Sequence, residues 1–316
     1  MRIKILMSVD ERQGGVSTYV RALEEFLPRE GVEIVSGENA DVLLHVGPHH
    51  YKGLPGVGKK SVMVVHDLIP EVVWGDEGVR AERKRALAAV DAVIAVSGTT
   101  KNDLVREYGV DPEKIRVVYH GCPRYDREMC ERPMSVRGPY LLYVGKRNEY
   151  KRFRWFLRAV APLMWRYPRL RIQCTGDSFC RREWAWIIVL GLLGRVTVRR
   201  FADEEMPSVY AHAEALVYPS VYEGFGLPVL EAMAAGCPVV ISRSSCLPEV
   251  AGDSAAYFEA DSANSLHRAV SALIRHDEES ERLRTELISR GRERAKRFSW
   301  ESCARETASV LRSVIG

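Results

Sequence analysis

The chain has 316 residues, 46% of them hydrophobic and 28% charged, a composition that excludes collagen-like, low-complexity and wholly disordered proteins. Its formal net charge of +4 suits a phosphate-bearing ligand or an anionic membrane surface, and it is too small to indicate nucleic-acid binding. At roughly 150 residues per domain, the length predicts two domains.

The first part of the chain alternates β-branched runs with amphipathic stretches. This alternation is typical of βαβ units around a parallel sheet. Residues 122–139 lack periodicity and are rich in Pro, Arg and Met, which predicts a linker. Helices are predicted at 16–27, 79–90 and 100–108, and strands at 3–9, 32–35, 41–46, 61–65, 91–96 and 115–119.

The alternation restarts after this linker, and the tail from Ser262 onward is predicted to be helical. We therefore expect two doubly wound α/β domains, residues 1–135 and 136–298, which bind ligands at the carboxyl ends of their strands. A helix is predicted at 153–165, and strands are predicted at 140–144, 171–175, 196–201, 215–218 and 239–242.

Several patterns that often mark ligand sites are incomplete. Residues 53–59 nearly match a P-loop, but Lys60 replaces the Ser or Thr that binds magnesium, so a Gly/Pro turn is the better interpretation. His45, His49 and His50 have no nearby Cys or carboxylate to complete a metal site. No D-x-D occurs, and no G-x-G-x-x-G follows a strand, so neither a nucleotide-bound metal nor a nicotinamide cofactor is indicated.

The sequence also bears on location. Seven cysteines without C-x-x-C spacing indicate a reducing, cytoplasmic compartment, and the N-terminus is not typical of a signal peptide. The longest apolar stretch, residues 184–193, is far shorter than the roughly 18–20 residues that span a bilayer. We expect this stretch to be a core helix, with peripheral docking on the inner face of the membrane as the alternative.

The most informative segment, residues 218–241, predicts a strand, a Gly-rich turn and a helix. Pro228 lies in the first turn of this helix, where its missing N–H costs nothing, and Gly236 ends the helix. Such a helix start presents free backbone amides to an anion.

The chemistry of the turn follows from its residue types. Gly224 and Gly226 allow a ligand to approach the backbone closely, and the free amides around Leu227 form an anion site. Glu223 lies on the loop at that site. Glu231 is expected in the first turn of the following helix, from which it can point towards the same ligand. A carboxylate accepts two hydrogen bonds from a vicinal diol, which suits a ribose.

This segment resembles the E-x7-E motif of the retaining glycosyltransferases of family 4. The resemblance covers nearly the whole chain and implies a GT-B fold, in which two Rossmann-like domains face each other across a cleft that holds the donor. It also implies that the last helix, residues 299–316, returns to the first domain. Further matches occur in the expected order at 14–15, 66–70, 96–97, 143–151, 247–252 and 299–301.

The resemblance implies a role for each matching residue. Glu231 would bind the ribose hydroxyls of a nucleotide diphosphate sugar. Glu223 would act on the donor sugar, and the backbone of Gly224, Phe225 and Gly226 would hold that sugar.

Four further residues would contact the donor. His66 would contact the sugar and join Glu223 as a catalytic group. Lys151 would meet the diphosphate, as would the amide of Leu227, and Gly15 would approach the phosphates.

The family usually has Arg directly after the glycine of the strand that opens the second domain, and Lys146 stands there in this chain. A subgroup pattern, Gly-x-Arg-x-x-Tyr-Lys, gives the role to Arg147, and Tyr150 supports it. We prefer Arg147, because a guanidinium binds two phosphate oxygens at once. The first domain is shorter than is usual in the family, so an acceptor-binding element is expected to be reduced.

The implied reaction is metal-independent, retaining transfer of a sugar to a hydroxyl of a saccharide or lipid-linked glycan, without a cofactor. The family reaction is described as front-face substitution, with cations and a helix N-terminus stabilising the leaving diphosphate. The segment 66–70, together with Tyr150 and Lys151, looks most like transferases that use GDP-mannose or a related GDP-sugar as the donor. UDP-sugars are the alternative donors. The alternatives are a GT-B sugar-nucleotide epimerase and a non-catalytic nucleotide-sugar-binding module. At single positions the alternatives are a helix cap at Glu223, a solvated Lys151, a satisfied His66 and a turn glycine at Gly15.

Overall fold

The computed structural model describes residues 1–6, 14–37, 39–47, 59–131, 136 and 138–316. It divides into two compact units. The first unit consists of residues 1–121, 223–225 and 298–316, and the second unit consists of residues 122–222 and 226–297. The division follows Gly121, not residue 135. The reason is that the expected linker contains a short helix, Arg127–Glu131, which packs against Met206–Ala211 of the second unit.

Both units contain a six-stranded parallel sheet. The first has the strand order β2-β1-β3-β4-β5-β6, and the second has the order β12-β11-β10-β7-β8-β9. The strands are β1 (Arg2–Leu6), β2 (Glu33–Ile34), β3 (Val42–Val46), β4 (Lys60–Val65), β5 (Ala92–Ala95), β6 (Ile115–Val117), β7 (Tyr140–Tyr143), β8 (Arg171–Thr175), β9 (Val196–Arg199), β10 (Ala215–Tyr218), β11 (Val239–Ser242) and β12 (Ala256–Phe258).

Helices connect most of these strands, as parallel pairing favours. Several begin at a side chain that accepts a hydrogen bond from the first turn, including Asp76, Ser97 and Ser299. The helices are α1 (Gly15–Phe26), α2 (Ile69–Val72), α3 (Glu77–Ala89), α4 (Gly98–Tyr108), α5 (Arg127–Glu131), α6 (Phe153–Arg166), α7 (Arg181–Val189), α8 (Met206–Ala211), α9 (Leu227–Ala235), α10 (Leu247–Ala251), α11 (Ala263–Ile274), α12 (Glu278–Ala295) and α13 (Trp300–Ser313).

In the first unit, the central strands are buried over their whole length. β3 and β5 are fully buried, and β4 is buried after its first residue, so these strands are apolar runs without alternation. Helix α13 packs against α1, which places the C-terminal helix in this unit.

In the second unit, α6 packs its apolar face on the sheet, with Phe153, Phe156 and Val160 in the core. The strand order reverses at β7, because β7 pairs with β8 on one side and with β10 on the other. A reversal of this kind opens a crevice at the carboxyl ends of the strands, where α/β sheets bind ligands.

The prediction of a core helix at residues 184–193 is wrong. Only Ile187 and Leu192 of this stretch are fully buried. Among the described residues, Ile188 is 57% exposed, Val189 is 83% exposed and Leu193 is 65% exposed, so no other described element covers this face of α7. None of the helices in the described ranges has the length and hydropathy needed to cross a bilayer.

Candidate functional site

In the first unit, His66 and Asp67 follow β4 in a loop that buried groups hold in place. Arg83 of α3 donates from Nη1 to the carbonyl of Asp67 at 2.6 Å. Its Nε lies 2.7 Å from Glu71 Oε1, in an ion pair whose side chains are 1% and 0% exposed. Asp67 Oδ1 in turn accepts from the amide of Ile69 at 2.9 Å. The sequence identified His66 but not the ion pair that fixes its loop.

The segment 223–225 packs against this loop within the same unit. A β-carbon on Gly224 would lie 1.6 Å from the carbonyl oxygen of His66, so only glycine fits this close approach. Thr100 Oγ1 donates to the carbonyl of Gly224 at 3.5 Å. Glu223 is 9% exposed. The burial of Asp67 raises the pKa of its own carboxyl group, and the negative charge of Glu223 raises it further. The structure therefore brings together His66, Glu223 and Gly224.

Aromatic rings surround His66. The ring of His120 lies 5.2 Å from that of His66, and Tyr19 lies 5.0 Å from both. Phe225 and Trp300 contact His120 at 4.9 and 5.8 Å. The sequence analysis missed His120, although its place directly after the strand predicted at 115–119 and before Gly121 is a usable signal. A β-carbon on Gly121 would lie 2.3 Å from the amide of Trp300.

Both histidines have buried ring nitrogens that find no hydrogen-bond partner among the described residues, Nε2 of His66 and both nitrogens of His120. Burial and the Arg83 charge lower the pKa of His66 from 6.5 to about 4. Burial, with a smaller effect of His66, holds the pKa of His120 well below its usual value. Both imidazoles are therefore neutral at pH 7.

In the second unit, Lys151 lies at the carboxyl ends of two neighbouring strands. Its Nζ donates to the hydroxyl of Tyr218, the last residue of β10, at 3.0 Å. It also lies 3.2 Å from the position of a β-carbon on Gly145, which follows β7. The ammonium group therefore lies at the crevice that the strand reversal creates.

Arg147 is held by the beginning of α7. Its Nε lies 2.7 Å from Glu183 Oε1, and the two side chains are 7% and 9% exposed. The carbonyls of Asp177 and Ser178 accept from its Nη2, and the ring of Phe179 lies 5.0 Å from its guanidinium carbon. No local sequence pattern indicates that Glu183 is the partner of Arg147.

Gly226 and Leu227 lie at the start of α9, whereas Glu231 is the fifth residue of this helix and so lies in its second turn, not in the first turn as predicted. Gly226 precedes the helix with a φ of 91°, and a β-carbon there would lie 2.9 Å from Leu247 Cδ2. Glu231 accepts from the hydroxyl of Tyr210 at 2.7 Å. Burial raises the pKa of Glu231, the hydrogen bond from Tyr210 opposes this shift, and the charge of Asp203 adds to it.

The predicted residues thus form two groups. The second unit contains Arg147, Lys151, Gly226, Leu227 and Glu231, whereas the first unit contains Gly15, His66, Glu223, Gly224 and Phe225. Gly15 is the first residue of α1.

Two stretches of this chain match models of known families. Residues 34–125 match the model described as Glycosyltransferase Family 4, and residues 138–276 match the model described as Glycosyl transferases group 1. The chain is also 30% identical over 294 residues to O-antigen chain mannosyltransferase B of Escherichia coli, a match that covers 86% of this chain and 74% of that protein. The chain belongs to glycosyltransferase family 4.

A second relative of this glycosyltransferase is the MMP alpha-(1->4)-mannosyltransferase of Mycolicibacterium hassiacum. It is 31% identical over 74% of this chain, and the match spans 56% of the relative's own length. Among solved structures, HepE of Anabaena in complex with UDP and glucose aligns with a TM-score of 0.80 at 17% identity, covering 99% of this chain and 100% of HepE. Sucrose-phosphate synthase of Thermosynechococcus elongatus aligns with a TM-score of 0.79 at 21% identity, covering 99% of this chain and 98% of the synthase. The fold of this glycosyltransferase is therefore GT-B.

Some sequence-based interpretations of this glycosyltransferase cannot be compared with the structure. His49, His50 and residues 53–58 of the P-loop-like segment lie outside the described residues. His45 lies on β3, where burial lowers its pKa. Within the described ranges, no group of three or more His, Cys, Asp or Glu side chains could hold a metal ion.

Proposed function

We propose that this glycosyltransferase is a retaining mannosyltransferase that uses GDP-mannose or a related GDP-sugar. The observation that carries the proposal is the similarity, over 86% of the chain, to a protein named as an O-antigen chain mannosyltransferase. The acceptor would be a hydroxyl of a saccharide or lipid-linked glycan. UDP-sugars are the alternative donors, because HepE is described in complexes with UDP and UDP-glucose.

The second unit would bind the nucleotide part of the donor. Lys151 offers an ammonium group at the carboxyl end of β7, and the amides around Leu227 offer the positive end of α9. Glu231 would accept hydrogen bonds from the two ribose hydroxyls. Arg147 would bind phosphate oxygens by exchanging the carbonyls of the 177–178 loop for the diphosphate. In the first unit, Gly15 would let the phosphates of the donor approach the start of α1.

The reaction would exchange one C–O bond for another on the same face of the sugar. The bond from the anomeric carbon to the diphosphate breaks, the bond to the acceptor oxygen forms, and the acceptor proton passes to the leaving phosphate. Positive charge develops on the sugar, and the carboxylate of Glu223 would stabilise it. The backbone of Gly224, Phe225 and Gly226 would hold the sugar in place.

The chemistry of His66 fits contact with the donor sugar. Its Nε2 is buried and has no hydrogen-bond partner in the part of the chain that the structure describes, and its low pKa keeps the ring neutral at pH 7. A neutral imidazole hydrogen-bonds a sugar hydroxyl without placing a positive charge beside a cationic transition state. His66 would therefore position the sugar without opposing the charge that Glu223 stabilises.

No metal or other cofactor would be needed for this reaction. The cations of Lys151 and Arg147 and the N-terminus of α9 would stabilise the leaving diphosphate, a task that a divalent ion performs in other enzymes. We expect a chelator to leave turnover unchanged. Loss of turnover that manganese or magnesium restores would contradict this proposal.

The variant Glu223→Gln tests the proposed catalysis, because it keeps the shape of the side chain and removes its charge. A carboxylate about 4 Å from a partial positive charge contributes roughly 2–3 kcal/mol at an effective dielectric near 20. Turnover should therefore fall about thirty- to a hundred-fold, with little change in the affinity for GDP. The exposed Glu204→Gln serves as the control. Turnover of Glu223→Gln at the wild-type rate would contradict the role.

Product analysis separates this proposal from its alternatives. A sugar-nucleotide epimerase would change the sugar without forming a glycoside, and a binding module would retain the donor without turnover. Calorimetry with GDP, UDP, dTDP and ADP identifies the base. Tighter binding of UDP than of GDP would contradict the proposed donor but not the transferase reaction.

A further inference from the structure

Large apolar side chains are exposed on one side of the second unit. Trp165 at the end of α6 is 57% exposed, and Trp184 of α7 is 42% exposed. Ile188 and Val189 follow at the end of α7, and Leu193 lies just beyond it. The indole Nε1 of Trp165 donates to the carbonyl of Leu190 at 3.1 Å, which joins the two groups into one patch.

Arginines surround this patch. On α6, Arg154 and Arg158 lie on the exposed face that also carries Trp165, and Arg154 packs on the ring of Trp186 at 5.4 Å. On α7, the first two residues are exposed arginines. The α6–α7 surface is defined as Arg154, Arg158, Trp165, Arg181, Arg182, Trp184, Ile188, Val189 and Leu193.

The charge of this part of the chain is strongly one-sided. Residues 152–200 contain eleven arginines and only two acidic residues, Asp177 and Glu183, a formal net charge of +9, whereas the whole chain carries +4. Glu183 is buried against Arg147, and Asp177 pairs with Arg200. Neither acid is therefore left to neutralise the four arginines of the α6–α7 surface. Two other arginines of the segment, Arg152 and Arg199, pair with Asp261 and Glu205 outside it.

We propose that the α6–α7 surface docks on an anionic lipid bilayer. Exposed Trp, Ile, Val and Leu side chains insert at the boundary between headgroups and acyl chains, and arginines bind the anionic headgroups. A second copy of the chain is a poorer partner, because two such surfaces would bring eight arginines together and no acidic residue of either surface. The proposal does not depend on the proposed donor or acceptor.

The apolar end of this surface lies away from the crevice of the second unit that is proposed to bind the nucleotide. Trp165, Ile188 and Leu193 lie at the ends of α6 and α7 that precede β8 and β9, at the amino edge of the sheet. Lys151 lies at the carboxyl edge. A cavity of about 400 Å³ also opens at the amino edge, where it is lined by Arg166, Tyr167 and Leu170 among others.

Co-sedimentation of the full chain with vesicles tests the proposal. One set of vesicles contains phosphatidylcholine alone, and the other contains one quarter phosphatidylglycerol. We expect binding to the anionic vesicles, weak binding to the neutral ones, and release by high salt. Equal binding to both kinds of vesicle, or binding to neither, would overturn the proposal.

Two variants locate the surface. Val189→Asp should weaken binding to the anionic vesicles at least tenfold, because it places a negative charge at the most exposed apolar residue of the patch. Arg158→Gln combined with Arg182→Gln should weaken it roughly thirty-fold, at about 1 kcal/mol for each arginine near the surface. The controls are Ile315→Asp, at a residue that is 45% exposed in the first unit, and Arg282→Gln on α12.

Two further readouts complete the test. Each variant should bind nucleotide like the wild type, which shows that it is folded. Sedimentation velocity measures self-association. The proposal would be overturned if Val189→Asp bound the anionic vesicles as strongly as the wild type does. It would also be overturned if the wild type bound no vesicles and instead formed a dimer that Val189→Asp dissociates.

Discussion

The carbonyl oxygen of His66 occupies the space that a β-carbon on Gly224 would fill, at a distance of 1.6 Å. The two residues are 158 positions apart in the sequence, and both belong to the first unit. The loop that carries the candidate catalytic histidine therefore packs directly on the backbone next to Glu223. The lack of a side chain at position 224 is a packing requirement, in addition to any role in binding a sugar.

Gly224→Ala should disrupt this contact. The new methyl group overlaps a backbone carbonyl, which cannot rotate away as a side chain would, so the loop or the 223–225 segment must move. We expect a loss of stability of several kcal/mol or loss of the folded first unit, together with loss of turnover. Denaturant unfolding and steady-state kinetics measure these effects.

The control for this variant is Gly78→Ala, in the first turn of α3. A β-carbon on Gly78 meets only the side-chain oxygen of Asp76, at 3.2 Å, so the change should alter stability by less than about 1 kcal/mol. Equal stability of Gly224→Ala and Gly78→Ala would show that the close approach to His66 is not rigid.

The ring of His66 should titrate with a pKa of about 4 and not 6.5, because burial and Arg83 disfavour its charged form. Since the pKa is lowered on folding, the unfolded chain binds the proton first as the pH falls. This residue therefore reduces the free energy of unfolding between about pH 6.5 and 4, by up to about 3 kcal/mol.

An NMR titration of the histidine ring protons, with His66→Gln to assign the signal, measures this pKa. The urea-unfolded chain is the reference and should titrate at about 6.5. A midpoint above 6 in the folded protein would mean that the ring is not buried as described.

The sequence predicts those parts of the fold and the site that depend on neighbouring residues. Alternating apolar runs and amphipathic stretches predicted the parallel sheets, and Gly236 ends α9 in the left-handed conformation expected of a helix stop. Contacts between distant residues leave no such local pattern. The Glu183 partner of Arg147, the packing of His120 on His66 and the exposed face of α7 all arise from tertiary packing. They could not be predicted from one sequence.

The pair formed by Arg147 and Glu183 should be important for the stability of the second unit. Glu183→Ala leaves the Arg147 guanidinium buried without its carboxylate, which typically costs about 3 kcal/mol or more. Glu183 also accepts from the amide of Cys180 at 2.7 Å, and Glu183→Gln keeps an acceptor for that amide while removing the charge.

Urea unfolding of these variants measures the effect. Asp177→Ala is the matched control, because it removes the exposed partner of Arg200, and no change in stability is expected. A wild-type midpoint for both Glu183 variants would show that Arg147 does not need this carboxylate.

Nucleotide affinity should depend on the charge of Glu231. Its pKa is raised, so the carboxylate that binds the ribose is lost at a higher pH than usual, and affinity should fall as the pH falls through that pKa. Tyr210→Phe removes a hydrogen bond that lowers this pKa, and the fall in affinity should then begin at a higher pH. Glu231→Ala should weaken GDP binding about ten- to a hundred-fold, or roughly 1.5–3 kcal/mol, at neutral pH.

Calorimetry with GDP across the pH range measures both effects, with the exposed Glu204→Ala as the control. A folded Glu231→Ala protein that binds GDP like the wild type would remove Glu231 from the nucleotide site. The same pH profile for Tyr210→Phe and the wild type would show that this carboxylate does not control binding.

The most direct test of the central claim is to incubate the protein with GDP-α-mannose and a panel of mannoside acceptors, without added metal. GDP is quantified, and the new linkage is assigned by NMR. Retaining transfer predicts GDP and an α-linked product in equal amounts, with formation of both reduced at least thirty-fold in Glu223→Gln. A β-linked product would contradict retention, and failure to form any glycoside from GDP- or UDP-sugars would contradict the proposed function.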